Sequence, residues 1–119
     1  MTDRPFSRAL ADAVDGVATA LREQRNIRIQ LAIGALVVMA AAAVRFDELH
    51  WALLVLTIGA VLAAEMFNTA LERAVDSASA GESPLARATK HAAAGAVLLV
   101  CATAVAVGSF LFASVLWHR

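Results

Sequence analysis

This 119-residue chain has no tyrosine, one cysteine, two prolines and six glycines. A single thiol, Cys101, excludes an intramolecular disulfide framework and a cysteine-rich metal site. Charge is also scarce: 17% of residues are charged, against about 25% in soluble domains. It is balanced as well, ten basic against ten acidic side chains, so the net charge is zero and no basic footprint for nucleic acid exists. The three histidines, His50, His91 and His118, have no metal-ligand spacing. Neither GxxxxGK[ST] nor a kinase glycine loop is present, which excludes the two common nucleotide-binding signatures.

Apolar residues fill the space left by these absences. They make up 61% of the chain, against about 45–50% in soluble proteins, and the mean hydropathy is +0.71. A compact soluble domain of this size cannot hide so much apolar surface. The composition therefore excludes disorder and an ordinary soluble enzyme, and points to one membrane domain, residues 1–119.

The charges divide that domain into segments. Ile29 to Val44, Trp51 to Ala64 and Ala92 to Trp117 carry no charge, and Ala and Leu dominate without period-2 alternation. The first run is only about 24 Å long as a helix, so its span must start near Ile27 with Arg28 snorkelling. Three transmembrane helices are predicted, over 27–44, 50–76 and 84–116. Before them, Phe6, Leu10, Val14, Val17 and Leu21 share an arc of about 80°, opposite Arg8, Asp12, Asp15, Thr19, Arg22 and Glu23. This predicts an amphipathic helix over 5–25 lying in the membrane interface, a pattern unlike the uncharged core of a secretory signal. Ser83 and Pro84 predict the N-cap and first residue of the last helix. Gly34, Gly59, Gly95 and Gly108 are read as points of close helix approach. Eight of the ten basic residues fall in the N-terminal region and the 73–90 region, leaving Arg45 and Arg119 on the other side. The positive-inside rule then makes the N-terminus cytoplasmic.

One stretch of the second span stands out. Glu65, Asn68, Glu72 and Asp76 are spaced 3, 4 and 4, so they share one helix face over about 16 Å. Glu65 lies about 21 Å from Trp51 along the helix, inside the hydrocarbon. A carboxylate there costs roughly 2.5–3.5 kcal/mol on insertion scales. Two readings follow: polar residues joining helices across an oligomer interface, or a reactive site. A base at the lipid boundary suits proton abstraction from a lipid alcohol, and Glu72, nearer water, suits a Mg²⁺ ligand. Lys90 and nearby arginines suit phosphate. Together these parts describe phosphoryl transfer at the membrane interface.

The same residues carry a family resemblance. Glu65-Met66-Phe67-Asn68-Thr69-Ala70-Leu71-Glu72-Arg73-Ala74-Val75-Asp76 resembles the E-x-x-N-[ST]-A-x-E-x-x-x-D signature of the small prokaryotic diacylglycerol kinases. Gly16 followed by Glu23-Gln24-Arg25-Asn26-Ile27-Arg28 is similar to G-x6-E-E-R-N-x-R. Ala88-Thr89-Lys90-His91-Ala92-Ala93-Ala94-Gly95-Ala96-Val97-Leu98 is similar to A-K-D-x-A-A-G-A-V-L. The last two stretches are closer to the undecaprenol-kinase branch. The resemblance implies an integral-membrane lipid kinase of the bacterial plasma membrane. It implies a homotrimer of three-span chains with active sites shared between neighbours. In it, Glu65 would be the catalytic base, Asn68 its neighbour at the substrate, Glu72 the holder of Mg²⁺ and ATP phosphates, and Lys90 a phosphate contact. Two positions depart from the pattern. The family's second metal-binding Glu aligns with Gln24, a weaker neutral ligand, with Glu23 one residue away. The Asp after the Lys is His91, which can donate a hydrogen bond as well as accept one. These departures also fit a catalytically impaired membrane assembly, the rival expectation.

Overall fold

The computed structural model describes residues 5–78, 81 and 83–118. Arg4 and Arg119, counted above for orientation, and positions 79, 80 and 82 of the second loop lie outside the described residues. The described chain is all helical: α1 Phe6–Glu23, α2 Arg25–Ala43, α3 Glu48–Ala78 and α4 Pro84–Trp117. Helices α2, α3 and α4 are each long and apolar enough to cross a membrane, as the charge-free runs predict. The boundaries agree with the expected ones to within two residues, the usual uncertainty of helix ends.

α1 and α2 are separate helices because the backbone opens at Gln24 (φ −104°, ψ 109°). The last turn of α1 is closed by Arg28, which donates from Nη1 to Leu21 O at 3.1 Å and Arg22 O at 2.8 Å. A cation at a helix C-terminus satisfies orphan carbonyls and opposes the negative end of the dipole. The residue expected only to snorkel therefore also caps the surface helix. No residue of α1 is buried, and Phe6, Leu10, Val14 and Val17 are exposed along one face, as an interfacial helix requires.

The turn between α2 and α3 is tight. Phe46 N–H bonds Ala41 O at 3.1 Å and Arg45 N–H bonds Ala42 O at 3.2 Å, the two bonds of a Schellman motif. Arg45 holds the left-handed position at φ 61°, where glycine is usual. The motif's hydrophobic contact is Phe46, which is buried with Ala41, Leu54 and Leu111 in the main core cluster. Its ring lies 4.8 Å from Phe112 and 5.8 Å, edge on, from Trp51. This cluster pins the closed end of α2, α3 and α4 together. Asp47 starts α3: its Oδ1 accepts from His50 N at 2.9 Å and sits 2.7 Å from His50 Nδ1. At the far end of the bundle, Ser83 Oγ accepts from Ala86 N at 3.0 Å and Pro84 is the first residue of α4, as expected.

α3 packs most extensively on α4 and less on α2. Gly34 faces α3, and a Cβ there would lie 3.5 Å from Ile58 Cγ2, an ordinary van der Waals contact. Within the chain, Gly59, Gly95 and Gly108 have no such neighbour, which corrects their expected role. Packing in the bundle is therefore side-chain interdigitation, with Gly34 the one of these four glycines that faces a neighbouring helix within the chain.

Arg45→Gly should raise the midpoint of unfolding in an SDS titration, by about 0.5–1 kcal/mol, because it removes left-handed strain at some cost in unfolded-chain entropy. A lowered midpoint would show that the Arg45 side chain makes a contact worth more than the strain. Hydrogen bonds from the His50 backbone and ring hold the Asp47 carboxyl below its ordinary value. The cap therefore contributes above about pH 4, the ordinary carboxylate range, and fades as pH falls through the folded value. Asp47→Ala should lower the melting temperature in detergent at neutral pH, and the gap from wild type should close in acid. A gap that stays constant to pH 2.5 would refute an ionised cap.

Candidate active site

The end of the bundle opposite the Phe46 cluster is polar. It collects the α1–α2 joint, the second half of α3 and the start of α4. The helical repeat places Glu65, Asn68, Glu72 and Asp76 along one stripe of α3.

Glu65 is the one buried charged residue among those described, at 6% exposure. Its partner comes from α2: Gln30 Nε2 donates to Glu65 Oε2 at 3.2 Å. Glu65 Oε1 has no partner among the described residues. One turn on, the half-buried Asn68 donates from Nδ2 to Glu72 Oε1 at 3.2 Å. Two acceptors in this row, Gln30 Oε1 and Asn68 Oδ1, are buried without a hydrogen bond. A buried unsatisfied acceptor costs about 1–3 kcal/mol, and side chains of the right shape without it were available. The two atoms come from different helices, Gln30 from α2 and Asn68 from α3, and each keeps acceptor capacity beside the acid stripe.

Nearer the water the stripe is bounded by ion pairs. Lys90 Nζ lies 2.6 Å from Asp76 Oδ1 and ties α4 to α3. Arg73 Nη2 lies 2.9 Å from Glu23 Oε1 and ties α3 to the end of α1. Both partners of the second pair, and Asp76 of the first, are more than half exposed. Exposed pairs of this kind contribute about 0.2–1 kcal/mol, so they break readily.

The structure thus joins the sequence-predicted residues into two groups. Glu65, Asn68 and Glu72 share one face of α3, with Asn68 bonded to Glu72 and Glu65 bonded to Gln30 of α2. Glu23 and Lys90 flank the wet end of that face through Arg73 and Asp76. Gln24 is half-buried at the joint, and His91 is exposed on α4 beside Lys90. Among the described residues, no three His, Cys, Asp or Glu side chains are close enough to hold a metal alone. The donor types nevertheless suit Mg²⁺, which takes one or two carboxylates and completes its shell with water and phosphate oxygens. Glu72 and Glu23 are such carboxylates, and Gln24 offers a neutral oxygen.

Gln30 was not singled out by the sequence. It is one amide in an apolar run, and its partner lies 35 residues later. The usable signal is an uncharged polar residue inside a span barely long enough to cross. Gln30 also borders an apolar cleft of about 550 Å³ between α2, α3 and α4, lined by Ile33, Val37, Ile58, Leu62 and Phe112 among others.

A buried acid whose amide partner borders an apolar cleft, with paired cationic and acidic side chains toward the water, suits an enzyme acting on lipid at the water boundary. Comparison with known proteins agrees. The chain is 31% identical over 107 residues to the undecaprenol kinase of Bacillus subtilis (strain 168), covering 90% of this chain and 87% of that protein. It is 43% identical over 98 residues to a diacylglycerol kinase of Synechocystis, covering 81% of this chain but only 55% of that longer protein. Residues 11–112, which include all four helices in whole or large part, match the family described as prokaryotic diacylglycerol kinase. With three membrane-crossing helices, the buried acid and these matches, the chain belongs to the prokaryotic diacylglycerol kinase family and is a multi-pass membrane lipid kinase.

Proposed function

We propose that this chain transfers the γ-phosphoryl group of ATP to the hydroxyl of a membrane lipid alcohol, diacylglycerol or undecaprenol, with Glu65 as the base. The observation that carries this reading is the burial of Glu65 with a neutral amide, rather than a cation, as its partner. A carboxylate held by Arg or Lys would spend its basicity on the ion pair. Glu65 keeps one oxygen without a partner to accept a proton.

In the reaction, the lipid hydroxyl gives its proton to Glu65 and its oxygen bonds the γ-phosphorus. The bond from that phosphorus to the β–γ bridging oxygen breaks, and ADP leaves. Phosphoryl transfer of this kind depends on positioning and electrostatics. Asn68 holds the hydroxyl region beside Glu65, its unpaired Oδ1 offering an acceptor there. Glu72, about 10 Å farther along α3, faces the phosphates. Mg²⁺ would be held by Glu72 with Glu23 or Gln24, and its chemistry is to neutralise phosphate charge. Lys90 exchanges Asp76 for a phosphate oxygen, and His91 stands beside it for the nucleotide. The apolar cleft next to Gln30 suits a lipid chain.

The exposure of most large apolar side chains supports a chain surrounded by lipid and by further copies of itself, consistent with a homotrimer that shares its sites. The bias of basic residues supports a cytoplasmic N-terminus in the plasma membrane. ATP then arrives at the end that holds Lys90, and lipid arrives from the side.

Glu65→Gln should lower turnover by roughly 10²–10⁴ while leaving the ATP KM within about twofold, as loss of a general base does. Transfer of radiolabelled phosphate from ATP to diacylglycerol and to undecaprenol, in mixed micelles, measures this and ranks the two substrates. Near-wild-type turnover in a folded Glu65→Gln protein would return Glu65 to a packing role. For the metal, Glu72→Gln should raise the Mg²⁺ concentration for half-maximal rate and Gln24→Glu should lower it, because an ionised oxygen ligand is lost or gained. Unchanged Mg²⁺ titrations in both variants would place the metal elsewhere.

A further inference from the structure

We infer that Gln30 is a positioning residue for the lipid kinase reaction: its amide aims Glu65 and serves it in both protonation states. The inference rests on the reading of Glu65 as the base. The geometry is specific. Gln30 Nε2 reaches Glu65 Oε2 at 3.2 Å across the α2–α3 interface, and this is the contact that Glu65 makes among the described residues. The carboxylate plane is thereby held from one side, with Oε1 left over.

The chemical fit is equally specific. A general base is ionised before the proton moves and neutral afterwards. An ionised carboxylate only accepts hydrogen bonds, whereas a protonated one also donates. A carboxamide answers both needs, donating through Nε2 to the first and, turned over about its last torsion, accepting through Oε1 from the second. A lysine or arginine would favour the ionised state alone. An aliphatic side chain would leave the acid unpaired in both. The unbonded, buried Oε1 of Gln30 is what this role requires. It is the acceptor kept in reserve for the protonated acid. Gln30 also lines the apolar cleft, so one side chain borders both that cleft and the base.

The test uses the whole protein in mixed micelles with labelled ATP and the lipid alcohol turned over fastest. Gln30→Met keeps the length and volume of the side chain and removes both hydrogen-bonding functions. Gln30→Asn keeps the amide and withdraws it by one methylene. Each should lower turnover roughly tenfold, the usual order for losing a hydrogen bond to a charged group, with the ATP KM and the Mg²⁺ requirement within about twofold. The decisive measurement is the double variant. A residue that acts through Glu65 has nothing to act on once Glu65 is Gln, so adding Gln30→Met to Glu65→Gln should change the residual rate by less than about twofold. If Gln30→Met and Gln30→Asn keep full turnover while Glu65→Gln loses it, Gln30 is not a positioning residue and Glu65 remains the base. If the losses multiply in the double variant, Gln30 acts independently of Glu65 and the inference fails. If Glu65→Gln itself keeps its turnover, the base assignment fails first and the inference falls with it.

Discussion

A carboxylate placed inside hydrocarbon costs roughly 2.5–3.5 kcal/mol and must be met by a polar partner from the protein itself. Most of this structure can be derived from that requirement at Glu65. The acid lies on α3, and the chain meets it from α2, the neighbour that the short turn forces into an antiparallel course. Gly34 on α2 faces Ile58 on α3. One turn back along α2, and two turns forward along α3, Gln30 faces Glu65. The α2–α3 contact at Gly34 and Ile58 and the amide–acid bond lie on the same interface, and the second uses the closeness of the two helices.

The register of that meeting is set at the other end of the bundle. The Schellman turn at Arg45, the buried Phe46 ring and the Asp47 cap determine how α3 leaves α2. Leu54 and Leu111 seat α4 on the same cluster. A bundle packed firmly at one end and held by exposed ion pairs at the other divides stability from chemistry. The apolar cluster carries the packing, and the polar end is left free to exchange partners. The position of Arg45 in a left-handed conformation shows how much the turn matters, since an L-residue there is tolerated only where its surroundings determine the backbone.

What could be read from the sequence follows the range of the interactions involved. The three spans come from uninterrupted hydropathy, and the α4 start comes from Ser83 and Pro84, adjacent residues with a direct mechanism. The acidic stripe is visible because helical periodicity turns spacing into a face. The turn at Arg45 carries no Gly or Asn to announce it, and the opening at Gln24 carries neither Gly nor Pro. Both are settled by tertiary contacts, Phe46 in the core and Arg28 on the carbonyls of α1. Gln30 escaped notice for a similar reason: its meaning lies in a partner 35 residues away. The glycines misled in the opposite direction, because small residues mark close approach only where a second helix is present to approach.

The wet end of the stripe has its own logic. Lys90 is paired with Asp76 and Arg73 with Glu23, so the proposed nucleotide site is neutralised by the chain's own acids. Each pair is exposed and weakly held. A polyphosphate brings several charges at once and competes for both cations, whereas a single-charged anion gains little by displacing one acid. The displaced carboxylates then become available as hard-oxygen ligands. In the proposed site Glu23 would be released from Arg73 beside Gln24, the position where the family pattern has an acid and this chain has an amide. At the proposed site, selection for a multiply charged ligand would come from the number of weak pairs exchanged together, and not from one strong contact.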